Sequence, residues 1–194
     1  MPSPRDLETS EQSVALARAA LERERSPFRT LPRRLVLVDV RRQRLALIED
    51  GRVLVEYPVS TASAGVGGAQ DSFRTPPGWH RVHARIGAGE PEGAVFESRA
   101  RTGRVWRGEA GDQDLILTRV ITLEGLEASI NRGPGCDSLE RTIYIHGTNH
   151  PELIGTRASH GCVRMHNDAV ADLFDRLEEG DPVVIVDEPS PELA

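Results

Sequence analysis

The chain is written mostly in short apolar runs of four to nine residues, separated by Gly, Pro, Asp and Arg, which is the pattern of strands rather than of long helices. Arg34-Leu-Val-Leu-Val-Asp-Val40 opens the series, and residues 45–48 and 53–57 follow. Glu49-Asp50-Gly51 between the last two is a hairpin turn, because Asp-Gly accepts the left-handed backbone that tight turns require. Residues 79–86, 115–123, 142–145 and 182–186 read as further strands, with 95–96 and 105–106 as shorter candidates. Only two stretches carry a helical period. Val14, Ala17 and Leu21 recur behind Thr9-Ser-Glu-Gln12, a capping-box pattern, and predict a helix over residues 10–25 that packs on the domain or offers a face to a partner. Val170, Leu173, Phe174 and Leu177 predict a second, with Asn167 as its N-cap and Gly180 beyond its end. The reading is a mostly β fold with two helices. An N-terminal extension covers residues 1–32, the domain 33–187 and a tail 188–194.

At 194 residues one domain with a proper core is expected. The net charge of −6 argues against a general nucleic-acid binder. All 24 basic residues are arginine. A lysine Schiff base, a Walker-type phosphate loop and a Ser-Lys hydrolase are thereby excluded. Arginines 33, 34, 41, 42 and 44 form either a basic patch or the solvated side of a hairpin. Gly65-Val-Gly67-Gly68 lacks the order of a nucleotide fingerprint and reads as a loop beside a groove. The first 30 residues hold no apolar run, and no segment approaches the ~20 apolar residues of a membrane span. On that ground the chain is expected in the cytoplasm, with the periplasm as the alternative.

Chemistry gathers near the C-terminus. A strand-like run delivers His146, in Ile143-Tyr-Ile-His146-Gly-Thr-Asn-His150. A polar turn then presents Ser159-His160-Gly161-Cys162-Val163-Arg164. A thiol nucleophile needs an imidazole to take its proton and N–H groups for the oxyanion. Cys162 sits among polar residues, not in an apolar run, which sets it apart from a buried structural cysteine. Five ligand-type residues, His146, His150, His160, Cys162 and His166, raise a zinc site; His146 and His150 have the x3 spacing of paired ligands, but Pro151 and the Gly147-Thr-Asn loop argue against the helix that would present both. His80 and His83 fall on opposite faces of a strand and make no metal pair. No cofactor and no metal are expected. Cys136, in Gly133-Pro-Gly-Cys136, has no assigned role.

The ordered set Tyr57-Pro-Val-Ser-Thr61, Thr75-Pro-Pro-Gly78, His-Gly-Thr-Asn from His146 and Ser-His-Gly-Cys-Val-Arg-Met from Ser159 resembles the catalytic signature of the YkuD family, the L,D-transpeptidases of bacterial cell walls. The resemblance runs from about residue 34 to 186. It implies a β-sandwich with a helix packed after the cysteine, and an active site in a groove. Cys162 is then the nucleophile and His146 its base or ion-pair partner, oriented by the backbone carbonyl of Gly147. The N–H groups of Gly161 and Cys162, with His160, would form the oxyanion hole, and Ser159 would support the turn. His160 as the base is the second assignment. Arg164 would bind a substrate carboxylate or brace the loop, and Thr148 and Tyr144 would line the substrate site.

The implied reaction breaks the bond between the diamino acid at position 3 of a peptidoglycan tetrapeptide, or muropeptide, and its terminal D-Ala, through a thioester. An amine acceptor gives transpeptidation and water gives L,D-carboxypeptidation; the charged N-terminus favours the second. A non-catalytic domain that binds wall peptides and a structural metal protein are the alternatives from other classes.

Overall fold

The computed structural model describes residues 4–111 and 113–189, with side chains from Thr9 onward. Among these described residues there are ten strands: β1 (Arg34–Asp39), β2 (Arg44–Glu49), β3 (Arg52–Pro58), β4 (Gly78–Ile86), β5 (Ala94–Glu97), β6 (Ala100–Val105), β7 (Ile116–Gly125), β8 (Tyr144–Gly147), β9 (Val163–Met165) and β10 (Pro182–Val186). Two α-helices accompany them, α1 (Pro4–Ala19) and α2 (Asn167–Arg176). The turn between β2 and β3 is the two-residue Asp50-Gly51, with φ of 49° and 72°, the left-handed pair that hairpin turns use.

Hydrogen bonding links the strands in the order β3-β2-β1-β10-β4-β7-β5-β6, and β8 branches from β7 to carry β9. From β1 to β9 the path crosses β10, β4, β7 and β8, a distance of roughly 24 Å in a flat sheet. Yet Val36 and Val38 of β1 share one core with Val163 and Met165 of β9. The sheet therefore folds over on itself. Ser60, just past β3, closes the circuit by exchanging both main-chain hydrogen bonds with Arg164 of β9, at 2.9 and 2.8 Å. α2 fills this core with Val170, Leu173 and Phe174. Its apolar stripe is the reason β8 and β9 have something rigid behind them.

α1 covers the outer face of the sheet. Leu16, Ala17 and Ala20 pack with Leu35, Leu37, Ile48 and the fully buried Trp79, whose indole N–H donates to the carbonyl of Ala20 at 3.1 Å. The helix begins at Pro4, earlier than residue 10, and gives way after Ala19 to a 3-10 turn, Ala20–Glu22. Proline is compatible with a first helical turn, where its missing N–H has no partner to lose. Thr9 to Gln12 thus lie inside the helix, and their capping-box pattern marks no terminus. Of the hairpin arginines, Arg33 pairs with Glu49 and Asp50, Arg34 with Glu49, Glu178 and Asp181, and Arg42 with Asp39, so these three are matched by carboxylates. His80 is fully buried and His83 exposed, on opposite faces of β4 as expected. Among the described residues no helix is long and apolar enough to cross a membrane.

Candidate active site

β8 and β9 run parallel, with Ile145 opposite Val163 and His146 opposite Arg164. Ile145 and Val163 point into the main core. The alternation of a strand then sends Tyr144 and His146 to the other face, and Cys162 joins Tyr144 there in a smaller apolar cluster with Phe96. The N–H of Tyr144 donates to Cys162 Sγ at 3.4 Å, and the thiol reaches the carbonyl of Thr142 at 3.5 Å. Cys162, the residue just before β9, lies diagonally from His146 of β8, about 8 Å apart at Cα if the strand spacing and rise are extended by one residue.

The imidazole of His146 is almost wholly buried, and its Nδ1 lies 2.7 Å from the carbonyl of Gly147. A carbonyl only accepts, so Nδ1 carries the proton and Nε2 presents its lone pair. Burial holds the pKa of His146 below its ordinary value. Burial also pushes the Cys162 thiol up to about 11, against the smaller opposing pull of the Tyr144 N–H. The Asp114 carboxylate adds to the rise, and the guanidinium groups of Arg164 and Arg141 oppose it. Both groups are neutral at pH 7 on this account, because the low-dielectric surroundings disfavour each charge. The arrangement suits an imidazole that takes the proton as the sulfur attacks better than a standing ion pair.

The turn before β9 is pinned from several sides. Ser159 Oγ donates to the carbonyl of Cys162 at 2.6 Å and accepts from the N–H of Gly161 at 3.2 Å. Thr75 Oγ1 donates to the carbonyl of Gly161 at 2.9 Å and accepts from Ala62 N–H at 3.0 Å. Gly161 has φ of 132°, and a methyl group there would press on Ile143 Cδ1 at 3.2 Å, so a side chain is excluded on two grounds. The loop from Ser60 to Thr75 is thus part of the site wall. Arg141 holds that loop through the carbonyls of Gly67, Gly68 and Arg74 and the hydroxyl of Ser72, at 2.7–3.3 Å.

Other expected residues are placed differently. His160 is exposed, with its Nδ1 3.7 Å from the Asp114 carboxylate and its ring edge-on to Phe73. Three side chains expected to line the substrate site are buried. Arg164 is ion-paired with Asp114, which leaves the brace and not the open carboxylate site. The Tyr144 hydroxyl accepts from Arg99 Nε at 3.2 Å and hydrogen-bonds the Ser98 hydroxyl at 3.0 Å. Thr148 Oγ1 accepts the N–H of His150 at 3.0 Å. The physical reason is common to all three: each lies on or beside a strand that is covered on both faces. Asp114 and Arg141 were missed, since each meets the site only through folding and neither belongs to a local motif; Thr75 stood in the Thr75-Pro-Pro-Gly78 stretch without an assigned role. Cys136 is a free, half-buried thiol in its own loop. Among the described residues no three His, Cys, Asp or Glu side chains are grouped to hold a metal ion.

The profile of the L,D-transpeptidase catalytic domain, YkuD, matches residues 33–185. The chain belongs to the YkuD family. A probable L,D-transpeptidase ErfK/SrfK of Salmonella typhimurium is 30% identical over 168 residues, which are 82% of this chain and 49% of that protein. A putative L,D-transpeptidase YqjB of Bacillus subtilis is 50% identical over 48 residues, 25% of this chain and 27% of that one. The chain thus spans about half the length, or less, of these curated relatives. Among solved structures, an L,D-transpeptidase from Xylanimonas cellulosilytica superposes with a TM-score of 0.51 at 22% identity, over 87% of this chain and 68% of that one. At that identity the likeness concerns the fold: a mostly β domain with two helices.

Proposed function

We propose that this YkuD-family domain catalyses cysteine acyl transfer on peptidoglycan stem peptides. Cys162 attacks the carbonyl of the position-3 diamino acid while His146 Nε2 accepts the thiol proton. D-Ala leaves as the amine after taking a proton from the imidazolium, and a thioester remains on the sulfur. The carbonyl oxygen of the tetrahedral intermediate lies against the amide N–H of Cys162, with Gly161 N–H joining if it releases Ser159. The observation that supports this reading is the buried His146 of β8, its tautomer set by Gly147, beside β9, the strand that Cys162 immediately precedes.

Family membership favours an amine as the acceptor, which completes transpeptidation. Hydrolysis, the L,D-carboxypeptidase outcome, starts from the same thioester. The two are separated by mass spectrometry of a disaccharide-tetrapeptide incubated with and without D-Met. Exchanged tetrapeptide or cross-linked dimer supports the transferase; tripeptide alone makes the protein a carboxypeptidase; no release of D-Ala sinks the proposal. The reading takes a muropeptide as partner and requires no cofactor. Residence in the cytoplasm is part of the proposal and is tested by a reporter fusion that is active only after export.

A further inference from the structure

Gly147, whose carbonyl sets the His146 tautomer, lies opposite an unusual piece of β7. Thr118 lies inside that strand with φ of 68°, and it is fully buried. A β-branched residue rarely enters the left-handed region, and it stays there only where its surroundings enforce the strained conformation. The strain falls at a bulge. β7 pairs with β8 through Leu117 opposite Gly147 and Val120 opposite His146, and the register slips between them. The bulge therefore stands against the His146–Gly147 step, immediately before the carbonyl that aligns the imidazole.

The Thr118 hydroxyl faces the first residue of α2. It donates to Asn167 Oδ1 at 2.8 Å and accepts the N–H of Gly93 at 3.0 Å. Asn167 caps nothing in its own helix: the N-cap position is His166, and no side chain caps it. Instead its Nδ2 donates to the carbonyl of Thr148 at 3.1 Å. A methyl group on Gly147 would collide with Asn167 Oδ1 and with the carbonyl of Leu117. The residue after His146 is thus wedged between the Asn167 amide and the bulged strand, and only glycine fits the gap.

We propose that Thr118 and Asn167 are positioning residues for the base. Together they fix the Gly147–Thr148 backbone, so that the Gly147 carbonyl keeps the proton on His146 Nδ1 and leaves Nε2 free for Cys162. This rests on the assignment of His146 as the base. Without the clamp the carbonyl can turn away, and the imidazole divides between two tautomers, one of them with its proton on the wrong nitrogen.

The test is alkylation of Cys162 by iodoacetamide across pH, which needs no peptide substrate. In the native protein His146 assistance gives a rate plateau around neutral pH that His146→Ala removes. Thr118→Val, matched in shape but without the hydroxyl, should lower that plateau by about 10-fold, part of the ~100-fold or more a general base supplies. Its rate should converge with the native rate as the pH approaches that of free thiolate. Thr118→Ser should restore the plateau. Asn167→Ala, read by the ring-nitrogen NMR shifts of His146, should show loss of the Nδ1–H tautomer, which keeps the test open should Thr118→Val not fold. Profiles and shifts unchanged in folded Thr118→Val and Asn167→Ala would overturn the inference. A plateau unaffected by His146→Ala would instead remove the assignment of the base.

Discussion

Ser159 and Cys162 are joined across their turn by a 2.6 Å hydrogen bond from the serine hydroxyl to the cysteine carbonyl, while the same hydroxyl takes the N–H of Gly161. One buried side chain thereby sets both ends of the loop that aims the sulfur. Ser159→Ala should lower kcat about 10-fold and stability by about 1–2 kcal/mol, the usual result of removing a buried bridging hydroxyl. Steady-state kinetics with a tetrapeptide and urea unfolding measure the two. Native kcat in the variant would reduce Ser159 to a bystander.

The neutral resting pair makes a spectroscopic prediction. With the thiol held up to about 11 by burial, thiolate absorbance near 240 nm, taken as native protein minus Cys162→Ala, should be absent at pH 7. It should grow only towards pH 11. A thiolate signal that persists down to pH 5 would mean a standing thiolate–imidazolium pair.

His80 provides a pH handle on stability. It is fully buried between the carbonyl of Gly78 and the hydroxyl of Ser138, both at 2.9 Å, and burial lowers its pKa from 6.5 to about 4. The unfolded chain therefore binds this proton first as the pH falls. The contribution of His80 is complete above about 6.5 and is lost as the pH drops towards 4, to the extent of roughly 3 kcal/mol. Urea unfolding at pH 7 and pH 4.5 should find a steeper loss in the native protein than in His80→Gln. Equal losses would contradict the assignment.

Asp114 answers the charge of Arg164, whose side chain is only 3% exposed. Asp114→Ala leaves a buried guanidinium without its counter-ion and should cost about 3 kcal/mol, near the low end for a broken buried pair because the carboxylate side is 33% exposed. Pairing the change with Arg164→Met should recover much of the loss. Thermal unfolding of the single and double variants decides it.

These residues also mark how far the sequence could be read. Strands β1 to β3 and their Asp50-Gly51 turn follow from local pattern, because a hairpin is specified by neighbours in the chain. His146 and Cys162 stood out because their surrounding motifs are local too. β9 was missed: three residues carry too little periodicity, and they are strand only because β8 and Ser60 flank them. Asn167 has the composition of a cap, yet its side chain answers Thr118, 49 residues earlier. For Arg164 carboxylate binding and bracing both stayed open in the sequence, because its partner is 50 residues away. Partners brought together by a folded-over sheet leave no spacing to read.

The central claim is a thioester on Cys162 formed with His146 as the base. Incubation with disaccharide-tetrapeptide, acid quench and mass spectrometry of the intact and digested protein test it directly. The account predicts an adduct with the mass of the substrate less D-Ala, carried by the peptide containing Cys162. It should be absent from Cys162→Ala, much slower to form in His146→Ala and normal in Cys136→Ala. An adduct mapped to another residue, or D-Ala released by Cys162→Ala, would contradict it.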